Sequence, residues 1–172
     1  MTPATALLPG TVLAVRSGGF AGAGIRLGAA LLDEPNIENH IAVVHHTDAS
    51  GTTWAIEGRP GGVGWRNASD YLASRWTVNN SAQPLTLAQR DVIARTCEAM
   101  LGTPYDWEAI VDDGLRDLHL WAPKLGNVQG QTVCSALAAH AYDIAQAPRP
   151  KGGERLVQPA DWDQWIVTAG WR

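Results

Sequence analysis

Cysteine, clustered basic residues and long apolar runs are all scarce in this chain of 172 residues, and each scarcity removes a class of protein. Two cysteines, Cys97 and Cys134, are too few for the disulfide framework of a small secreted domain. No Lys/Arg run occurs and the formal net charge is −4. A nucleic-acid partner is therefore not expected, because phosphate binding leaves a basic patch. The histidines at 40, 45, 46, 119 and 140 form no HExxH pattern, and the cysteines form no CxxC pair. No metal centre and no cofactor are expected from such spacings. His45 and His46 are adjacent, and neighbouring strand residues point to opposite faces, which makes them a poor chelate. The first ten residues lack both a basic region and a long apolar stretch, so neither a signal peptide nor a membrane anchor is expected. No integral membrane segment is expected anywhere. The default expectation is a cytoplasmic protein, with carriage by a phage or delivery by a secretion machine as the other route. Repeats, low-complexity tracts and long linkers are absent too, which favours a single domain over residues 1–172.

What is present is an ordinary globular composition, 45% hydrophobic and 17% charged, with eight tryptophans for core and pocket walls. Thr11 to Val15 reads as a first strand after the Pro9-Gly10 turn, and 21–32 as a short helix rich in small residues. His40 to His45 is a strand, Thr52 to Glu57 its hairpin partner, and further strands are expected near Val63 to Trp65 and 75–78. Thr86 and Gln89 form a capping box for a helix from Leu87 to Leu101, stopped by Gly102 and Pro104. A helix is expected over 107–118, and another from an N-cap at Thr132 to about Ala145, with Val133, Leu137, Ala141 and Ile144 toward the core. The fold class is α+β, a small antiparallel sheet packed against helices.

The hairpin carries the first functional signal. Strand residues of equal parity share a face, so His40, Ala42 and Val44 lie together, as do Thr53, Ala55 and Glu57. A four-residue loop at Thr47 to Ser50 sets His40 directly opposite Glu57, with Cβ atoms about 4.5–5.5 Å apart. A slip of one residue separates the pair, and a slip of two leaves it in diagonal contact. A carboxylate beside an imidazole can fix its tautomer and stabilise its cation. The second signal is Cys134, one or two residues into a new helix. A helix start offers unpaired N–H groups and the positive end of the dipole, which favour a thiolate. Cys97, inside an amphipathic helix, reads as a space-filling residue.

Taken in order, Asn39-His40-Ile41-Ala42-Val43-Val44, Trp54-Ala55-Ile56-Glu57-Gly58, Leu101-Gly102-Thr103-Pro104-Tyr105-Asp106 and Val133-Cys134-Ser135-Ala136-Leu137 make a pattern. It resembles the circularly permuted branch of the NlpC-like, papain-fold cysteine hydrolases, the branch related to lecithin:retinol acyltransferase. In that branch the histidine strand precedes the nucleophile helix. The resemblance covers about residues 9 to 162 and includes a late Val157-Gln158-Pro159-Ala160-Asp161 segment. It implies Cys134 as nucleophile, His40 as general base, Glu57 as third polar residue and Tyr105 as a support for the oxyanion, with Asp106 in a structural role. It implies hydrolysis of a peptide, a peptidoglycan fragment or another amide through a thioester. The alternatives are an acyl-lipid esterase or acyltransferase of the same fold, and a non-catalytic binding module. Asn39 stands where the family often has serine. The insertion at 112–129 is individual to this chain and is the expected place for substrate choice to differ.

Overall fold

The computed structural model describes residues 7–15, 40–74, 77–106, 132–153 and 157–171. These form a mixed α+β architecture around one antiparallel sheet. The strands are β1 (Val12–Val15), β2 (His40–Thr47), β3 (Thr53–Arg59), β4 (Gly62–Asn67) and β5 (Val78–Asn79). The helices are the single turn α1 (Ser69–Leu72), then α2 (Leu87–Ala99), α3 (Cys134–Ile144) and α4 (Pro159–Thr168). The sheet order is β4-β3-β2-β1-β5.

Alternation along the strands sorts the core into two layers. Val12, Ala14, Ile41, Val43 and Ile56 face α2 and α3, where they meet Ile93, Cys97, Leu137 and Ala141. Leu13, Val15, Ala42, Val44 and Ala55 form a smaller cluster on the other face, closed by Ala68, Leu7 and Tyr71. Each fully buried Leu, Ile or Val contributes about 1.5–3 kcal/mol. β2 is apolar at both parities, which suits a central strand covered on both sides, by α2, α3 and α4 on one face and by Ala68, Leu7 and Tyr71 on the other.

The expected hairpin register is off by two. Ala42 pairs with Glu57, Val43 with Ile56 and Val44 with Ala55, then a bulge shifts the ladder to His46–Trp54 and Thr47–Thr53. Asp48 organises the loop: its carboxylate accepts from the Ser50 and Thr52 N–H groups and from Trp54 Nε1, at 2.9–3.0 Å. The Ser50 hydroxyl, which also donates to Oδ1, together with Trp54 and those N–H groups holds the Asp48 carboxyl down at about 2.

The Thr86–Gln89 capping box forms as expected, with Gln89 N donating to Thr86 Oγ1 and Thr86 N to Gln89 Oε1. The N-cap of α3 is Val133 rather than Thr132, which instead joins Tyr105 in a parallel bridge. Ile144, expected toward the core, is 56% exposed at the last residue of α3, and Ala145 and Ala147 just beyond it are the buried ones. Helix α4 was not anticipated beyond its opening residues; Pro159 starts it and Gln158 N donates to the Asp161 carboxylate at 2.8 Å. The helices expected over 21–32 and 107–118 lie outside the described residues, as do most of the 112–129 insertion's neighbours and the whole of that insertion.

Candidate active site

Helix α3 is fixed from its far half. Tyr142 is fully buried; its hydroxyl accepts from Asn80 Nδ2 and donates to the Gly10 carbonyl, both at 2.7 Å. Asn80 Oδ1 also accepts from Val12 N at 2.7 Å, which ties the helix to strand β1. The ring of Trp162 meets Tyr142 edge-on at 5.1 Å. With that anchor the first residue of α3, Cys134, is delivered to the end of strand β3.

Gly58 permits the close approach. A Cβ there would lie 3.2 Å from Cys134 N and 3.3 Å from the Val133 carbonyl carbon, backbone atoms that have little room to give. The β2–β3 ladder ends at Ala42–Glu57 although the strands run on to His40 and Arg59. Where they part, the Ile41 N–H is released from the sheet and bonds the Cys134 sulfur. This opening explains how a thiol on the helix side reaches an imidazole whose parity places it on the other face. His40 pairs with Val15 at the last rung of β1, so its ring sits at the same open end.

The three side chains expected to converge do so. His40 Nε2 lies 2.9 Å from Glu57 Oε2, in the diagonal contact that a two-residue register slip leaves. His40 also hydrogen-bonds the Cys134 side chain, and with Nε2 occupied by Glu57 this falls to Nδ1. Burial pushes the His40 imidazole down, but the Cys134 charge and hydrogen bond, joined by those of Glu57, carry it up to about 10. Burial likewise pushes the Cys134 thiol up, and the His40 charge and hydrogen bond, with the Ile41 and Ser135 N–H groups, bring it below the ordinary thiol value. Glu57 shows the same opposition: burial raises it, and His40, Tyr71 and Arg59 together hold it below the usual carboxylate range. The arrangement favours a thiolate–imidazolium pair backed by a carboxylate.

Tyr105 reaches this centre along the loop after α2. Val63 N donates to the Thr103 carbonyl at 2.9 Å, and Gly102 N to the Val63 carbonyl at 2.9 Å, seating the loop on β4. Thr132 N bonds the Pro104 carbonyl and Asp106 N the Thr132 carbonyl, which sets Tyr105 beside the start of α3. Burial first, then the negative charges of Cys134 and Glu57, push its phenol well up, so the hydroxyl keeps its proton as a donor. Asp106, the next residue, is buried.

Tyr71 was missed by sequence reasoning. Its hydroxyl donates to Glu57 Oε2 at 2.9 Å. No local signal marks it, since it lies on a single helical turn with no buried residues.

His45 and His46, near the other end of β2, stand apart from the centre. The bulge brings His45 and His46 to the same side after all, Nδ1 to Nδ1 at 3.0 Å, against the expectation from strict alternation. Among the described residues no group of His, Cys, Asp and Glu could hold a metal ion. Cys97 is fully buried, and burial alone pushes its thiol up to about 12. His119 lies outside the described residues. Among the described residues no helix is long and apolar enough to cross a membrane.

The class of site is thus defined by chemistry: a cysteine at a helix start, an imidazole in contact with it, and a buried carboxylate behind the imidazole. No protein-family model, curated protein or solved structure matches the chain.

Proposed function

We propose that the protein is a cysteine hydrolase of papain-like, NlpC-like fold in circularly permuted order, cleaving an amide bond in a peptide or cell-wall peptide. The observation that carries this reading is the contact series Cys134–His40–Glu57, assembled from three separate elements at one open end of the sheet. A surface His–Glu pair has no use for burial; this one is 11% and 3% exposed at its side chains and is shared with a thiol.

In the reaction, the Cys134 thiolate attacks the substrate carbonyl carbon, forming the C–S bond while the carbonyl oxygen takes up negative charge. The Cys134 backbone N–H and the Tyr105 hydroxyl are the donors for that oxyanion, and losing one such donor costs about 2.7–4 kcal/mol. His40 gives its Nδ1 proton to the departing amine as the C–N bond breaks, leaving a thioester. It then takes a proton from water, whose oxygen attacks the thioester; the acid leaves and the thiolate–imidazolium pair is restored. Glu57 stays ionised throughout and keeps the ring in the tautomer that presents Nδ1 to sulfur.

The test uses blocked peptide amides and peptidoglycan fragments as amide probes and short-chain acyl esters as lipid surrogates, with intact-protein mass as the second readout. Cys134→Ala is expected to lower turnover by at least about a thousandfold with the fold retained in a cooperative thermal melt. Turnover undiminished in that variant, or an acyl adduct mapped to another residue, overturns the assignment. Release of the acyl group only by an added amine or alcohol, and not by water, replaces hydrolysis with acyl transfer.

A further inference from the structure

We propose that Tyr71, supported by Arg59, is a positioning residue that holds the Glu57 carboxylate in the orientation His40 requires. This rests on the Cys134–His40–Glu57 reading above and extends it by one shell outward. Glu57 Oε2 receives two donors, His40 Nε2 and the Tyr71 hydroxyl, each at 2.9 Å. Oε1 faces Arg59 Nη1 at 3.5 Å, and Arg59 Nη2 is itself held by the Trp65 carbonyl at 3.1 Å. The carboxylate is 3% exposed, so these groups stand where water would otherwise bind it.

A buried carboxylate with a single donor can rotate about its terminal torsion and takes up a proton readily. Two donors on Oε2 and the guanidinium charge facing Oε1 oppose both escapes. Tyr71 is held in turn: the Arg66 guanidinium lies over its ring at 5.2 Å, and its ring approaches that of His40 edge-on at 6.3 Å. Among the described residues, the charged and titratable groups gathered about Glu57 are His40 from β2, Arg59 from β3, Arg66 from β4, Tyr71 from α1, Cys134 from α3 and Tyr105. Along the contact series the charges alternate: thiolate, imidazolium, carboxylate, guanidinium. Removing either outer donor weakens the carboxylate as a counter-charge, and the loss passes through His40 to the sulfur.

The experiment is the rate of Cys134 alkylation by iodoacetamide against pH in the full chain, with the modified site located by peptide mass and folding checked by thermal melt. Tyr71→Phe, which removes only the hydroxyl, is expected to move the midpoint upward. On the acid side the rate should fall by about threefold to tenfold, with the alkaline plateau unchanged. Arg59→Gln is expected to shift the curve the same way by a smaller factor, since its guanidinium is 42% exposed and screened. In a Glu57→Gln background Tyr71→Phe should add nothing, which a purely structural tyrosine would not satisfy. An unchanged curve in folded Tyr71→Phe, or an equal loss in the Glu57→Gln background, overturns the proposal alone. A wild-type midpoint already at the ordinary thiol value overturns the underlying Cys–His–Glu reading, and the proposal with it.

Discussion

Strand β2 carries a histidine–glutamate pair at each end, and the two ends behave differently. At one end His40 and Glu57 meet at 2.9 Å with side chains 11% and 3% exposed; at the other His45 and Glu98 meet at 3.3 Å, with 20% and 51% exposed. The inner pair lies within the sheet, touches a third ionisable group, Cys134, and has its carboxylate braced by Tyr71 and Arg59. The outer pair bridges the strand to α2 in contact with solvent, where an ion pair is worth about 0–1 kcal/mol. The same two residue types therefore do unlike work. Burial makes an unpaired charge costly and so magnifies whatever partner is supplied, while exposure lets water stand in for the partner.

The sharpest way to break this comparison is to remove one charge from each pair. Glu57→Gln keeps the shape but loses the charge-assisted bond, and a fall in turnover of about tenfold to a hundredfold is expected, the equivalent of about 1.5–3 kcal/mol. Glu98→Gln should leave turnover unchanged and move stability by less than about 0.5 kcal/mol. Equal responses in the two variants would dissolve the distinction between the ends.

Gly58 gives the next largest effect, because the inner end depends on close backbone approach. Gly58→Ala puts a Cβ 3.2 Å from Cys134 N, and the helix start must withdraw by a few tenths of an ångström. Turnover should drop by about tenfold, since angstrom-scale misplacement of a reacting group costs about a hundredfold. The melt should show destabilisation of about 1–3 kcal/mol. Full activity in Gly58→Ala would mean that the approach of α3 to β3 is not what places the thiol.

The pH profile sharpens the comparison more gently. His40 is raised from 6.5 to about 10, so its pairing stabilises the fold fully below pH 6.5, and that contribution is lost as pH rises through about 10. Cys134 moves the opposite way, so its ionised form is lost as pH falls through its lowered value. Cys134 alkylation and turnover should both rise through that lowered thiol value. Turnover alone should then decline near pH 10, where His40 gives up its proton while the thiolate persists. Decline near 6.5 instead would show His40 to be unsupported by its partners. Cys97, with its thiol pushed up to about 12 by burial, should stay unmodified at neutral pH.

Much of this site was legible along the chain. Parity alone puts His40 and Glu57 on one face, and the capping box at Thr86 and Gln89 marks its helix because both its signals are local. The exact pairing was not legible: the bulge between Val44 and His46 adds a residue that no composition rule announces, and Asp48 pulls the loop into its own hydrogen-bonded shape. The contact survived the error because a two-residue slip keeps the face. Tyr71 escaped notice for a different reason. Its single helical turn has no periodicity to read, and its partner lies fourteen positions earlier.

The sequence by itself determined which residue types were present, which shared a strand face and where helices α2 and α3 begin to within a residue or two. Those properties follow from short-range periodicity and capping, which each segment carries in its own few residues. Only the tertiary structure decided that β2 and β3 part beyond Ala42 and Glu57, that Gly58 admits the start of α3, and that Cys134 meets His40 through the opening. These outcomes depend on how a helix anchored at Tyr142 packs against a sheet built from strands far earlier in the chain. Such long-range packing has no signature in any one stretch of residues.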